Sequence, residues 1–199
     1  MIKIVKLTAL FAVTILVFSG CAGKKVGAGR VYTIDPDKGL CKRYRTSPAT
    51  VKVTPPFSGR DMDNTKILYS EDRYALEGYA LSRWSDTPSG MLQRAMTEAL
   101  DASRIYRNTV SSRIKTRKDY LLQSEIREFR QVFDNNASYG VLRIRMYLLD
   151  SRSGRLISSR GFGYRVKASS NDTYGAVESL NRAVSMMLRD MCRWLSRVH

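Results

Sequence analysis

The stretch YGVLRIRMYLLDSRSGRLISSRGFGYRVK, Tyr139–Lys167, carries the main prediction of the fold, because its pattern predicts two strands joined by a turn. In its first half apolar residues occupy every second position and arginines stand between them: Leu142, Ile144, Met146 and Leu148 against Arg143 and Arg145. A period of two places the two sets on opposite faces of a strand. The residues SRSG then favour a turn, after which Phe162, Tyr164 and Val166 alternate again. We therefore expect a hairpin with one buried face.

The remaining segments supply further strands and two amphipathic helices. Strand-like composition recurs in VYTID, ATVKV, KILYS, RYALEGYALSRW, IYRNTV and DYLLQSEIREFRQVF. One helix is predicted to begin at Pro88 after a Thr87 cap, and the other after Asn171–Thr173, running to about Arg197. This order predicts a single α+β domain with a largely antiparallel sheet and two main helices packed on one face.

The N-terminus has the layout of a secretory signal. Two lysines lie in the first six residues, an apolar run follows at Leu7–Phe18, and the small residues Ser19 and Gly20 precede Cys21. The run is too short to span a bilayer comfortably, since about 20 residues are needed. The sequence FSGC resembles the lipobox of bacterial lipoproteins, in which the cysteine is acylated and begins the mature chain. The alternative is an N-terminal anchor helix with an incidental cysteine.

Lipidation of Cys21 divides the chain into three parts. Residues 1–20 are predicted to be cleaved, residues 21–47 to form a lipidated tether and lead-in segment, and residues 48–199 to form the domain. Two acyl chains give stable membrane anchoring where one is marginal. Ala22, rather than Asp, follows the cysteine, which resembles the sorting pattern of outer-membrane lipoproteins. We expect a lipid-anchored protein on the periplasmic face of the outer membrane.

The charge balance is strongly basic. The chain carries 34 Lys and Arg against 18 Asp and Glu, and it retains a net charge of about +14 when residues 1–20, with two lysines and no acid, are removed. Such a charge suggests nucleic acid in a cytosolic protein, but export excludes that partner. The remaining candidate partners are anionic lipid headgroups, lipopolysaccharide or an acidic protein. The alternative is that the basic residues only form solvated surfaces. The cations are dispersed along the sequence, and no dense block predicts a binding patch.

Two cysteines remain once Cys21 is acylated. An oxidising periplasm permits a disulfide between Cys41 and Cys192, which would join the lead-in segment to the last helix. The alternative is a buried Cys192 and a separate Cys41 thiol.

The residues of catalytic and metal sites are missing from the sequence. The one histidine is the terminal His199, which makes a Ser-His-Asp or Cys-His site improbable, and no cluster of metal ligands is present. DMDNTK begins like a calcium loop at Asp61 and Asp63 but has Lys66 where glycine is required. Glu125 and Glu128 are expected to pair with neighbouring arginines. We therefore expect no enzyme, no metal and no cofactor.

The order of several short motifs resembles the ABC-type transport auxiliary lipoproteins, the PqiC-like family. The motifs that carry the resemblance are the lipobox, Tyr32–Ile34, Val51 and Val53 before Pro55, Ile67 and Tyr69, and finally Arg83, Trp84, Asp86 and Pro88 leading into a helix. Many members have Ala-Glu after the tryptophan, where this chain has Ser85 and Asp86. Trp84 either seals the junction between sheet and helix or docks a partner, with Arg83 and Asp86 pairing around it.

The resemblance implies a non-enzymatic role in lipid transport between the two membranes. The implied partners are an MCE-domain periplasmic protein and its ABC transporter, and the implied assembly is a homo-oligomeric ring. No catalytic residue carries over. A second hypothesis is a tethered interaction lipoprotein that activates a cell-wall synthase.

Overall fold

The computed structural model of the chain describes residues 29–37 and 39–198, which contain eight strands and two α-helices. The strands are β1 (Arg30–Tyr32), β2 (Ser47–Val53), β3 (Lys66–Ser70), β4 (Glu77–Trp84), β5 (Tyr106–Ser111), β6 (Tyr120–Asp134), β7 (Ala137–Asp150) and β8 (Leu156–Lys167). The helices are α1 (Pro88–Ser103) and α2 (Thr173–Leu195). The predicted signal peptide and Cys21 lie outside the described residues.

The three longest strands, β6, β7 and β8, form an antiparallel meander on one side of the sheet, with β8 at its edge. On β7 the predicted alternation is confirmed, since Ile144 and Met146 are buried while Arg143 is exposed. The turn into β8 is fixed by Asp150, whose carboxylate accepts hydrogen bonds from the amides of Arg152 (3.0 Å) and Ser153 (2.8 Å). Gly154 closes this turn with a φ of 71°, a left-handed conformation that favours glycine.

The other edge of β6 carries two strands end to end. Near its start β6 pairs with β2, with Tyr120 opposite Val51, and near its end it pairs with β3, with Gln131 opposite Tyr69. Beyond them, β5 pairs with β2, while β3 forms an antiparallel pair with β4, which in turn pairs with β1. The strand β6 therefore joins both halves of the sheet.

The prediction of a largely antiparallel sheet is wrong, because the sheet is mixed. Four of its seven strand pairs are parallel, namely β1–β4, β2–β5, β2–β6 and β3–β6. Each parallel pair joins strands distant in sequence, and a half-buried strand alternates with the same period whichever way its neighbour runs. The single α+β domain with two helices agrees with the structure.

Both helices begin at the predicted caps and pack over one hydrophobic core. The Thr87 hydroxyl accepts from the Gly90 amide (3.2 Å) and the Asp172 carboxylate from the Gly175 amide (2.9 Å). α2 lies so close to β7 that a Cβ on Gly140 would come 2.8 Å from the backbone nitrogen of Leu180. Glycine at this position therefore sets the distance between helix and sheet.

Candidate functional site

Trp84 is part of the hydrophobic core rather than of the surface. β4 ends at this residue, whose amide donates to the Thr65 carbonyl (2.7 Å). The side chain is only 1% exposed, and its ring centre lies 5.7 Å from that of Phe129. Its burial agrees with an indole that seals the junction between sheet and helix.

Arg83 and Asp86 do not pair with each other. The Asp86 carboxylate, which lies just before the Thr87 cap, instead contacts Arg94 in the second turn of α1, at 2.8 Å. The hydrogen bond from Arg94 and that from the Thr87 amide lower the pKa of Asp86, which keeps it ionised at neutral pH. Arg83 is exposed. A role for Arg83 and Asp86 at a partner interface stays a prediction.

Cys41 and Cys192 are joined in the structure, with 2.08 Å between the sulfur atoms and 6.0 Å between the Cα atoms. The segment before Cys41 follows α2, because the Asp35 amide donates to Asn181 (2.7 Å) and the Asp37 amide to Ser185 (3.2 Å). The lead-in segment thus lies along the helix, and β1 belongs to the sheet. The domain boundary at residue 48 stays a prediction.

The face of β6 and β7 that points away from the helices pairs its acids with arginines. Glu128 contacts both Arg130 (3.0 Å) and Arg143 (3.2 Å), and Glu125 contacts Arg127 (3.3 Å). The expected pairing of these two glutamates with neighbouring arginines is therefore confirmed.

A chain of polar side chains links β4, β6 and β7. The Tyr79 hydroxyl donates to the Gln131 side-chain oxygen (2.5 Å), and the Gln131 amide group donates to the Ser138 hydroxyl (2.8 Å). Burial raises the pKa of Tyr79 to about 12, so the phenol remains a hydrogen-bond donor at neutral pH. Since Gln131 is fully buried, this arrangement is structural.

One end of the domain gathers cations that are dispersed in the sequence. We define the basic end as residues 42–45, 101–107, 117–119, 150–155 and 190–197. These segments contain eleven Lys and Arg residues, namely Lys42, Arg43, Arg45, Arg104, Arg107, Arg117, Lys118, Arg152, Arg155, Arg193 and Arg197. They contain only four acids, Asp101, Asp119, Asp150 and Asp190. The cations are dispersed along the sequence, as predicted, and they share one end only in the folded domain.

Contacts between the segments define this end. Cys41 is bonded to Cys192, the Tyr44 amide donates to the Ser103 carbonyl (3.1 Å), and the Ser151 amide donates to the Asp119 carbonyl (2.8 Å). A cleft of about 610 Å³ opens between residues 47–49, 116–120 and 150–152. No sequence signal could have found the basic end, because each segment supplies only two or three cations and the fold brings the segments together.

The described residues contain no group of three or more His, Cys, Asp or Glu side chains placed to hold a metal ion. No helix in the same part of the chain is long and apolar enough to cross a membrane.

Within the described residues the fold is an α+β domain. It has a mixed eight-stranded sheet, two helices over one core and a basic end. The family model of the ABC-type transport auxiliary lipoprotein component matches residues 32–192. The chain belongs to this family, and the predicted resemblance is confirmed. No curated protein sequence matches the chain.

Solved structures share the fold at low sequence identity. Protein XCC0632 from Xanthomonas campestris, of the DUF330 family, is 19% identical with a TM-score of 0.76, and the match covers 83% of this chain and 94% of that one. An uncharacterised protein is 12% identical with a TM-score of 0.66, covering 84% of this chain and 98% of that one. At these identities the likeness shows the fold alone.

Proposed function

We propose that the chain is an outer-membrane lipoprotein on the periplasmic side, serving as a non-enzymatic auxiliary component of an MCE/ABC-type lipid transport system. The observation that carries the proposal is the family match over residues 32–192, which follows a lipobox at Cys21. The family description supplies the lipoprotein and the ABC transporter. The MCE partner is implied by the ordered motifs that resemble the PqiC-like family, the last of which is Arg83, Trp84, Asp86 and Pro88.

The membrane anchor can be tested apart from the partner. Cells that express the native chain, Cys21→Ala or Ala22→Asp are fed an alkyne palmitate analogue, and their membranes are separated by density. We expect acylation of the native chain and of Ala22→Asp but not of Cys21→Ala, with the native chain in the outer membrane and Ala22→Asp shifted to the inner membrane. Native chain without label, or an unprocessed N-terminus, would refute the anchor.

The partner is tested by crosslinking in intact envelopes, followed by purification of the lipoprotein and mass spectrometry. We expect the MCE-domain protein together with the permease and ATPase of its transporter. Cys21→Ala is the control, because loss of the anchor should reduce these adducts while the domain remains folded. Adducts with a penicillin-binding protein and none with an MCE protein would favour the activator of a cell-wall synthase instead.

The proposal includes assembly of several copies into a ring. Native mass spectrometry of the lipidated protein extracted in detergent measures the number of copies directly. A monomer at every concentration would exclude the ring and leave the transport role in place.

A further inference from the structure

Almost all cations of the basic end form no ion pair with an acid among the described residues. Among the described residues only one of the eleven, Arg193, forms an ion pair, at 2.9 Å with Asp190. The Asp119 carboxylate accepts from the Thr50 amide (2.8 Å), and that of Asp150 from two amides of its own turn. Eleven cations against four acids leave this end at about +7. Such a concentration of exposed charge costs self-repulsion, which the ion pair between Arg193 and Asp190 offsets only in part.

The opposite end of the domain is electrically balanced. It comprises residue 30 and the segments 71–76, 134–137 and 165–173, in which four acids meet four cations. One pair of these charges is in direct contact, Arg165 with Asp134 at 2.6 Å. The excess charge of the domain is therefore directional, and the basic end is its positive pole.

The tether joins the domain near the balanced end. Arg30 pairs with Ser82 on β4, and through β3 it stands at about the level of Phe129, near the end of β6. From there the lead-in segment runs along α2 towards Cys192, at the basic end. Chain entry and positive pole are therefore separated along the strands.

The length of the tether limits where the positive pole can reach. From the level of Phe129 to that of Asp119 the strand β6, with one bulge, spans about 30 Å. The nine residue steps from Cys21 to Arg30 reach at most about 32 Å when fully extended. Because surface charges are screened beyond about 10 Å, the basic end comes within range of the anchoring bilayer only in orientations that turn it back towards the anchor.

We propose that the basic end is a docking surface for an acidic protein surface on the side of the domain away from the anchoring membrane. The direction of this surface rests on the proposed lipidation of Cys21. Trp84, which is buried between sheet and helix, takes no part in this contact. Complementary charge would speed association and fix orientation, as it does at other protein interfaces.

The test is site-specific photo-crosslinking of the full-length lipoprotein in its native envelope. Benzoylphenylalanine replaces Leu156, which is 50% exposed beside Arg155, or Tyr74, which is 89% exposed at the balanced end. We expect protein adducts from position 156 at a yield at least fivefold above position 74. Mass spectrometry of the adducts should map the contact to a peptide rich in Asp and Glu.

Charge reversal supplies the matched control. Arg117→Glu, Arg152→Glu and Arg155→Glu together should lower the adduct yield at position 156 at least tenfold. Arg30→Glu, Arg73→Glu and Lys167→Glu, all at the balanced end, change the net charge equally but should leave the yield within twofold. Circular dichroism checks the fold of both. If the first set misfolds, glutamine at the same three positions takes its place, with an expected loss of at least threefold.

Four outcomes would overturn the inference: adducts with lipid only at position 156, equal yields at both positions, a contact peptide without acids, or equal effects of the two charge sets. Lipid adducts alone would mean that anionic headgroups cover the basic end. The identity of the protein adduct decides a separate matter. An acidic partner that is neither an MCE-domain protein nor a transporter subunit, with no adduct to either, would refute the proposed function and leave the docking surface standing.

Discussion

Reduction of the bond between Cys41 and Cys192 is expected to destabilise the domain strongly. The two cysteines are 151 residues apart, so the bond closes a loop that includes nearly the whole described chain. In the chain-entropy model a loop of this length stabilises the folded state by about 5 kcal/mol, and measured values more often lie at 2–4 kcal/mol. We expect the free energy of unfolding to fall by about 3–5 kcal/mol. With a urea dependence of about 2 kcal/mol per molar, the midpoint should fall by about 2 M.

The assay is urea unfolding of the Cys21→Ala chain, which cannot be acylated, with and without dithiothreitol. Cys41→Ser in the same background is the control, because it should unfold at the midpoint of the reduced chain and ignore the reductant. Position 192 is less suitable, since Cys192 is fully buried and a substitution would also disturb the core. Equal midpoints in both conditions, or alkylation of both cysteines without reductant, would refute the reasoning.

Three further predictions concern the core, the helix packing and pH. Trp84→Ala should lower the free energy of unfolding, measured by thermal or urea unfolding, by about 3–5 kcal/mol. Tyr74→Ala, at an exposed site, should change it by less than about 0.5 kcal/mol. A Trp84→Ala chain as stable as the native chain would contradict the burial of Trp84. Gly140→Ala should cost about 1–3 kcal/mol because its Cβ meets the backbone of α2, while Gly161→Ala, with no atom within 4 Å of its Cβ, should be nearly neutral; similar costs at both sites would contradict the close approach. Hydrogen bonds from the Ser170 hydroxyl and the Gly175 amide lower the pKa of Asp172, so its stabilisation is present above about pH 4 and is lost as the pH falls through the folded value. Unfolding measured from pH 6 to pH 2 should show a smaller acid loss in Asp172→Asn, and an unchanged pH profile would argue against this role.

Local patterns in the sequence located most of the secondary structure. The alternation in β7 predicts its buried face because one strand decides which of its residues point inward. The helix caps at Thr87 and Asp172 are likewise local, since each side chain bonds an amide only three residues away.

The sequence did not predict which strand pairs are parallel and which are antiparallel. β2 and β3 meet opposite ends of β6 across more than 50 residues, and their composition would fit either direction. The partner of Asp86 was missed for a related reason, because the path of the chain into α1 brings Arg94, not Arg83, to the carboxylate. Trp84 agrees with the first of the two interpretations that the sequence offered, since it is buried at the junction of sheet and helix.

The sequence by itself determined the elements, the helix caps, the family motifs and the expected anchor at Cys21, because each depends on residues that are neighbours along the chain. Only the tertiary structure decided the mixed sheet, the junction of Cys41 with Cys192 and the basic end. Eleven cations in five separate segments form one surface because the ends of strands and helices meet there. Electrostatic potential depends on distances in space, and the fold brings together charges that are far apart in sequence.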